Sequence, residues 1–363
     1  MNGKMKSFKV VAPLQMEAQI MDIPKLEPHE VLIKVIATGV CTTDVELYDG
    51  SMSYYKTGLS KMPLTPGHEW SGVVAELGSA VENFEIGDLV VGDISIGCGK
   101  CKNCKKGLYH LCSNRTELGV IKYDGSMAEY LKTDGKNIYK VPKGVTPEQA
   151  ALVEPLATVL YAIRKTGIEP GDNVVIYGDG PIGLLNAQLA SYCGAAKVAV
   201  VSRKELHREK VEKLWGLRMF NSMECNATEA IKEWFGDYAD VVFEDTGNPE
   251  AVNTAVKMTA PGGKLCALSL TGKELIPFEL EYVTSRDITV YGSLASPNSF
   301  APALDMIAAG KIDVQTCISH TYAFEDTPKA LEFARTSHGT NRLKVLIVNE
   351  SAKQLVGKKM QKN

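Results

Sequence analysis

Four closely spaced cysteines are the strongest chemical signal in the chain. Cys98, Cys101, Cys104 and Cys112 form the pattern CxxCxxCx7C, which brings four thiolates close enough to surround one zinc ion. The residues between them are rich in Gly and Lys and offer few apolar side chains, so this lobe needs a crosslink in order to fold. We interpret it as a structural zinc site. The spacing leaves a redox switch or an iron–sulfur cluster open as alternatives.

A second set of candidate metal ligands is spread along the chain. Cys41 lies in GVCTTD, His68 and Glu69 lie in PGHEWSG, and Glu154 precedes Pro155 at the predicted entrance of a helix. A thiolate, an imidazole and carboxylates suit zinc, and three protein ligands with one exchangeable position make a catalytic site. Taken singly, such a cysteine or histidine is more often a buried core residue, so spacing alone leaves both interpretations open.

A glycine-rich turn predicts a dinucleotide site. Gly178, Gly180 and Gly183, with Pro181 and Ile182 between them, form GxGxxG directly after the apolar strand NVVIY and directly before a helix. This strand and helix context is the one that the fingerprint requires. The turn and the helix N-terminus then offer backbone N–H groups to a pyrophosphate.

The end of the next predicted strand indicates which dinucleotide is bound. NAD enzymes place a carboxylate about 20 residues further on, where it binds the ribose hydroxyls. Here that place holds Ser202, Arg203 and Lys204, which lack a carboxylate to repel a 2′-phosphate and supply two cations to pair with it. We therefore expect NADP to be preferred over NAD, with Arg208 as further support. The alternative is that these are solvated surface cations.

The predicted elements place these motifs in two kinds of domain. From Phe8 to about Val153, short β-type runs broken by Gly, Pro and Asp predict an antiparallel, barrel-like domain. Beyond Pro155, strands and helices alternate, which predicts a parallel sheet wound by right-handed crossovers. The fold class is thus α/β. Short strands are predicted at IPFEL and DITVYGSL, and KVLIVN is predicted as a strand that rejoins the first domain.

Length and composition exclude several classes of protein. A chain of 363 residues that is 45% hydrophobic and 23% charged is ordinary for a globular protein with two cores. No apolar run approaches the ~20 residues of a membrane span, and MNGKMKSFKVVAP lacks the apolar centre of a secretory signal. Nine cysteines, an odd number, argue against a disulfide framework. A net charge of -3 favours neither nucleic acid nor membrane as a partner. We expect a cytoplasmic protein.

Taken together, the motifs resemble those of a known family. GVCTTD, PGHEWSG, the cysteine lobe, EPLA, GDGPIG, DTGNP and APGGK follow the order and approximate spacing of the zinc-dependent medium-chain alcohol and polyol dehydrogenases, which include sorbitol, threonine and 2-deoxy-scyllo-inosamine dehydrogenases. The resemblance covers nearly the whole chain. It implies a GroES-like catalytic domain at residues 1–158 with the zinc lobe at 97–113, a Rossmann domain at 159–297, and a return to the catalytic domain at 298–363.

The same resemblance implies roles for the candidate metal ligands. Cys41 and His68 match ligands of the catalytic zinc, and Glu69 matches a ligand or a carboxylate close to it. Glu154 matches a ligand that exchanges with water or substrate. Asp44 matches the carboxylate that orients the ligating imidazole. The resemblance leaves open whether Glu69 or Glu154 is the third ligand.

Further positions are implied in substrate and cofactor binding. Thr43 matches the hydroxyl that hydrogen-bonds the substrate alcohol, and Thr246 and Gly247, in DTGNP, belong with the cofactor-binding residues. Many relatives carry a proton-relay histidine where this chain has Glu46. The proton then leaves either through Glu46 and water or through the cofactor ribose.

The resulting hypothesis is an enzyme with two zinc ions per chain. It would reversibly oxidise a secondary alcohol of a polyol, cyclitol or aminocyclitol to a ketone, with hydride transfer to NADP or NAD. A polyol phosphate, which Lys56 and Lys61 would recognise, a sugar or threonine are alternative substrates. A zinc-assembled binding or redox-sensor protein is the non-enzymatic alternative. Strand edges similar to those of relatives predict a homodimer or homotetramer.

Overall fold

Two sheets of different character organise the chain. The computed structural model describes residues 3–337 and 340–360. In chain order the strands are β1 (Lys4–Ala12), β2 (Gln15–Asp22), β3 (Glu30–Val40), β4 (Glu69–Leu77), β5 (Leu89–Gly92), β6 (Ser95–Ile96), β7 (Thr116–Leu118), β8 (Lys122–Tyr123), β9 (Tyr130–Asp134), β10 (Ile138–Lys140), β11 (Asn173–Tyr177), β12 (Lys197–Ser202), β13 (Arg218–Asn221), β14 (Ala239–Glu244), β15 (Thr259–Ala267), β16 (Thr289–Gly292), β17 (Ile318–Ala323) and β18 (Lys344–Val348).

The α-helices lie between these strands, except for the last, which follows β18. They are α1 (Thr42–Asp49), α2 (Ser53–Thr57), α3 (Lys102–Lys105), α4 (Pro147–Ala151), α5 (Val153–Thr166), α6 (Pro181–Tyr192), α7 (Ala227–Phe235), α8 (Pro249–Met258), α9 (Leu280–Ser285), α10 (Phe300–Ala308), α11 (Thr327–Thr336) and α12 (Glu350–Met360). A π-helical turn spans Glu209–Leu214. Within the described residues no helix combines the length and the apolar character needed to cross a bilayer.

The first unit comprises the residues up to Glu154, Pro297–Gly310 and those from Ile318 onward. Its main sheet has the order β10-β5-β4-β3-β18-β17, and β9 also pairs with β3. The pairings are antiparallel except between β17 and β18. Strand β3 is buried over nearly its whole length because neighbours cover it on both sides. The strand predicted at KVLIVN is β18, and it returns to pair with β3.

The second unit comprises Pro155–Ser296 and Lys311–Cys317. Its six strands are all parallel and have the order β13-β12-β11-β14-β15-β16. Strands β11 and β12 consist largely of buried Val, Ile and Ala, as expected for a parallel sheet that is covered on both faces. The sheet is doubly wound, with the strand order of a dinucleotide-binding fold. The predicted fold class is confirmed.

One predicted strand is wrong. IPFEL does not form a strand, because Pro277 lacks the N–H that a ladder requires. The side chain of Asn253 forms hydrogen bonds with the neighbouring backbone groups instead. Asn253 on α8 donates through Nδ2 to the Pro277 carbonyl at 2.8 Å and accepts from the Glu279 N–H at 3.1 Å. DITVYGSL does contain a strand, β16, which forms the edge of the parallel sheet.

Candidate metal and cofactor sites

Strand pairing in the first unit brings Cys41, His68 and Glu69 together. Cys41 follows β3 directly and begins α1, while His68 and Glu69 stand at the start of β4. In the antiparallel ladder Gly39 is paired with Glu69, so the end of one strand meets the beginning of the other. One ligand atom from each of the three residues lies within 4.8 Å of the others. His68 and Glu69 are buried and Cys41 is partly buried.

Asp44 contacts both the backbone around the metal-binding group and the imidazole of His68. It lies in the first turn of α1 and is fully buried. Its Oδ2 accepts a hydrogen bond from the Cys41 N–H at 2.8 Å, and its Oδ1 accepts one from the Gly67 N–H at 3.0 Å. The same Oδ1 lies 3.2 Å from His68 Nδ1. Because Nδ1 faces this carboxylate, Nε2 is left for a metal ion.

The group concentrates negative charge in a buried place. Burial alone lowers the pKa of His68, but the charges of Asp44 and Cys41 outweigh burial and hold that pKa well above its ordinary value. The surroundings of His68 thus favour a positive charge at this place. Glu69 Oε2 is buried and has no hydrogen-bond partner among the residues that the structure describes. A thiolate, an imidazole and such a carboxylate oxygen around one point fit a zinc ion.

Glu154 lies near this group without belonging to its three-residue core. It is buried in the first turn of α5. Burial raises its pKa to about 7, the charge of His68 lowers it in part, and the charge of Glu69 raises it further. Thr43 and Glu46 both lie on α1, two and five residues beyond Cys41, and both are partly buried. Burial, followed by the charge of Asp49, raises the pKa of Glu46.

A lysine at this site was missed by the sequence analysis. Lys344, the first residue of β18, donates through Nζ to Glu69 Oε1 at 2.6 Å, and both side chains are almost completely buried. Burial lowers the pKa of Lys344, but the charges of Glu69 and Cys41 outweigh that effect and raise the pKa overall. The only signal in the sequence was a charged residue at the start of the apolar run KVLIVN.

The four cysteines of the lobe also meet at one point. One sulfur from each lies within 4.8 Å of the others. Cys101 begins α3, and its Sγ lies 3.5 Å from the Cys104 nitrogen, while Cys112 Sγ lies 3.5 Å from the Cys98 nitrogen. Hydrogen bonds from the backbone of Lys100 and Cys101 lower the pKa of Cys98 to about 6. N–H groups that stabilise a thiolate in this way also stabilise a thiolate bound to a metal.

The glycine-rich turn in the second unit packs closely against the helix that follows it. Gly178 follows β11, and Gly180 caps the N-terminus of α6, in which Pro181 is the first residue and Ile182 the second. A Cβ atom on Gly183 would lie 2.0 Å from the Gly178 carbonyl oxygen. Only glycine therefore permits this close contact between turn and helix.

The predicted phosphate-binding cations differ in their surroundings. Ser202 ends β12 and is buried, and its Oγ accepts from the Lys204 N–H at 3.1 Å. Arg203 and Lys204 are exposed. Arg208 is already engaged: its guanidinium contacts Glu205, Glu212 Oε1 at 2.6 Å and the Met219 carbonyl at 2.9 Å. Arg203 and Lys204 are thus the cations that remain accessible to a ligand.

Two further contacts at this end of the sheet were not anticipated. In Asp179, inside the glycine turn, Oδ2 lies 2.9 Å from His207 Nδ1. The signal in the sequence was an acidic residue between Gly178 and Gly180. Glu244 accepts hydrogen bonds from the backbone N–H groups of Thr246, at 2.8 Å, and Gly247, at 3.1 Å. These bonds hold the turn after β14, at the same carboxyl edge of the sheet as the glycine turn.

The chain is similar to known proteins over almost its whole length. The family model "Alcohol dehydrogenase GroES-like domain" matches residues 27–143, and "Zinc-binding dehydrogenase" matches residues 181–309. Sorbitol dehydrogenase of Bacillus subtilis (strain 168) is 31% identical over 88% of this chain and 90% of its own length. D-xylulose reductase A of Aspergillus niger is 30% identical over 94% and 97%. A zinc-binding dehydrogenase of Sinorhizobium meliloti 1021, solved with NADP, has a TM-score of 0.88 and 30% identity over 95% and 99%.

Proposed function

The chain belongs to the zinc-dependent medium-chain polyol dehydrogenases, oxidoreductases that act on CH–OH groups, and from this premise we propose which reaction it carries out. It reversibly oxidises a secondary alcohol of a polyol, cyclitol or aminocyclitol to the ketone and uses NADP in preference to NAD. The observation that carries the proposal is the buried Cys41, His68 and Glu69 group, with Glu154 close enough to interact electrostatically. A site so rich in carboxylates favours polar substrates.

Two metal sites follow from the donor sets. Cys41, His68 and Glu69 hold the catalytic zinc, with Glu154 as the exchangeable ligand, and the lobe holds the structural zinc through Cys98, Cys101, Cys104 and Cys112. The catalytic zinc supplies Lewis acidity, which lowers the pKa of a bound alcohol toward neutral pH.

The remaining steps belong to the side chains around the metal ligands. Thr43 accepts the hydrogen bond from the substrate hydroxyl, takes its proton and releases its own hydroxyl proton to water. Glu46, whose pKa is raised by burial, receives the proton through water on its way to solvent. Asp44 keeps the imidazole of His68 oriented throughout.

The dinucleotide supplies the hydride acceptor. The turn with Gly178, Gly180 and Gly183 accommodates the pyrophosphate, and Thr246 and Gly247 line the same edge of the sheet. Arg203 and Lys204 pair with a 2′-phosphate, and Ser202 brings no negative charge to oppose it. Two features support NADP here: Arg203 and Lys204 are exposed, and the carboxylate of Asp179 in the glycine turn is directed to His207.

Polyol phosphates form the second class of candidate substrate. Lys56, on α2, and Lys61, between α2 and β4, are both exposed, where they are accessible to a phosphate. The aromatic residues of α2 serve a different purpose: Tyr54 and Tyr55 pack against a buried apolar cluster, and the Tyr55 hydroxyl donates to the Leu47 carbonyl at 3.0 Å. The lysines therefore lie on a segment that its own packing holds in place.

Assembly and location complete the proposal. We propose a homodimer or homotetramer that pairs through β16, since this edge strand is exposed. We also propose a cytoplasmic location. All nine cysteines are free thiols, five of them in the two proposed ligand groups, and free thiols persist in reducing compartments.

Two measurements test the function. The first is turnover of a panel of polyols, cyclitols, polyol phosphates, sugars and threonine with NADP and NAD. The second compares Cys41→Ser and His68→Ala with the unaltered chain: both variants should lose turnover while NADPH fluorescence still reports cofactor binding. Metal analysis should give two zinc ions per chain. Turnover that survives in both variants would refute the metal mechanism, and a single zinc without turnover would favour a binding or sensor protein.

A further inference from the structure

Lys344 is a buried cation to which the proposed function assigns no task. It is 4% exposed, and its partner Glu69 is 1% exposed. The two residues lie 275 positions apart in the sequence. They meet because β18 pairs with β3 and β3 pairs with β4. Removing an ammonium and a carboxylate from water costs free energy, which their mutual attraction offsets only in good geometry. The pair is therefore a feature that requires an explanation.

Lys344 holds one oxygen of the Glu69 carboxylate in place. Lys344 Nζ lies 2.6 Å from Glu69 Oε1 and 3.5 Å from the Val40 carbonyl oxygen. The ammonium thus bridges the end of β3 and the start of β4. The carbonyl it approaches belongs to the residue immediately before Cys41. One cation consequently ties together the chain segments that carry two members of the metal-binding group.

The second carboxylate oxygen is confined by a glycine. A Cβ atom on Gly39 would lie 2.1 Å from Glu69 Oε2, so only glycine leaves room for the observed position of that oxygen. Glu69 Oε2 is buried and has no hydrogen-bond partner. The carboxylate therefore has one oxygen held by a lysine and one oxygen placed where none of the described residues donates to it. This is the state expected of a carboxylate that offers one oxygen to a metal ion.

We propose that Lys344 is a positioning residue, which together with the space at Gly39 fixes the orientation of the Glu69 carboxylate and thereby sets how tightly the site with Cys41 and His68 binds its metal. The inference rests on the proposed function, since it concerns the same metal site. Lys344 also balances one of the negative charges that a carboxylate-rich ligand set brings into a buried place. Without it, Glu69 is free to turn away, and the metal loses a ligand.

The test is metal binding at equilibrium rather than turnover. Lys344→Met removes the ammonium and keeps much of the side-chain volume. Its zinc affinity at the catalytic site, measured by competition with a chromophoric chelator, should fall about tenfold to a hundredfold. The visible spectrum of the cobalt-substituted protein should change with the ligand set, while the zinc of the cysteine lobe is retained. Lys344→Arg, which keeps the cation, should restore part of the affinity.

A matched control exists in the same unit. Lys132 Nζ pairs with Glu30 Oε2 at 2.7 Å, and neither residue belongs to a metal group, so Lys132→Met should leave zinc affinity and the cobalt spectrum unchanged. If Lys344→Met does not fold, Gly39→Ala tests the inference instead. Its added methyl group should displace Glu69 Oε2 and weaken zinc binding, although every charge is retained.

The possible outcomes separate this inference from the proposed function. Unaltered zinc affinity and cobalt spectrum in Lys344→Met, or in Gly39→Ala where that variant decides, would overturn the positioning role, even though the unaltered chain binds two zinc ions and turns over polyols. Failure of the unaltered chain to bind the second zinc, or to show any turnover, would instead refute the proposed function itself.

Discussion

The Tyr109 hydroxyl donates a hydrogen bond to Asp93 Oδ2. Tyr109 belongs to the cysteine lobe, and Asp93 follows β5 in the barrel-like sheet. The same hydroxyl accepts a hydrogen bond from the Asn298 N–H at 2.9 Å. One phenol thus joins the lobe to two other segments of the first unit, which explains how a lobe with few apolar side chains is attached to the core.

Loss of this phenol should destabilise the first unit. Burial raises the pKa of Asp93 to about 6, and the hydrogen bond from Tyr109 opposes that rise. In Tyr109→Phe the buried carboxyl group loses a donor, so we expect a loss of about 1–3 kcal/mol in the free energy of unfolding, measured with urea. Tyr130→Phe is the control, because no hydrogen bond of its hydroxyl is seen in the described residues. Equal stabilities of the two variants would contradict the prediction.

Asp44→Asn should damage the proposed metal site without affecting cofactor binding. Asp44 accepts two backbone hydrogen bonds and faces His68 Nδ1, and an amide has a single acceptor oxygen. We expect kcat/KM to fall about tenfold to a hundredfold, with NADPH binding unchanged. Asp49→Asn, at the other end of α1, should retain full activity. The role assigned to Asp44 would be wrong if both variants kept the activity of the unaltered chain.

Arg203→Ala should reduce the preference for NADP. Arg203 is exposed next to the end of β12, and pairing with a phosphate is the contact that NAD lacks. We expect kcat/KM with NADP to fall about tenfold, corresponding to roughly 1.4 kcal/mol, while the value with NAD changes little. Arg208→Ala should affect stability more than cofactor choice, because its guanidinium is bound to Glu205 and Glu212. A tenfold or greater preference of the unaltered chain for NAD would exclude this assignment.

The second unit should lose stability as the pH rises toward neutrality because of Asp245. Burial raises the pKa of this carboxyl to about 7, which the hydrogen bond from Asn186 Nδ2 at 3.0 Å offsets only in part. In the unfolded chain an Asp titrates near 3.9, so the folded state binds this proton more tightly. The contribution of this proton to stability is complete below about pH 4, decreases between about pH 4 and 7, and is absent above about pH 7.

Asp245→Asn provides the measurement for that prediction. An amide carries no charge, so the stability of the variant relative to the unaltered chain should rise with pH over this window, by up to roughly 4 kcal/mol. Urea unfolding at pH 5 and pH 8 would detect it. Asp240→Asn, which alters the acceptor of the Asn173 N–H, is the control. A stability difference that stays constant with pH would show that Asp245 is ionised in the folded protein.

Val290→Lys should disrupt the proposed assembly. Val290 lies on the edge strand β16 and is exposed, as are Leu275 and Leu280 nearby in the sequence. A lysine on an edge strand opposes pairing with another chain. Sedimentation should show a dimer or larger for the unaltered chain and a smaller species for the variant. Ile20→Lys, at an exposed position of β2, should leave the mass unchanged. A monomeric unaltered chain would contradict the proposal.

The sequence by itself determined those features whose parts are close together along the chain. Cys98, Cys101, Cys104 and Cys112 identify a metal lobe because their spacing alone brings the sulfurs within reach of one ion. Gly178, Gly180 and Gly183 predict a pyrophosphate turn because strand, turn and helix are consecutive. Hydrophobic periodicity likewise distinguished an antiparallel from a parallel sheet, since each pattern is local.

Tertiary structure decided what depends on strand register. Whether Cys41, His68 and Glu69 meet at one point is set by the pairing of β3 with β4, which no local pattern in the sequence specifies. Lys344 reaches Glu69 only because β18 returns to the same sheet, and Arg208 is occupied by Glu205 and Glu212 only because of how its side chain is directed. The physical reason is common to all three: a one-residue shift in register turns every side chain to the opposite face of a sheet, so contacts between distant segments exist only in the folded chain.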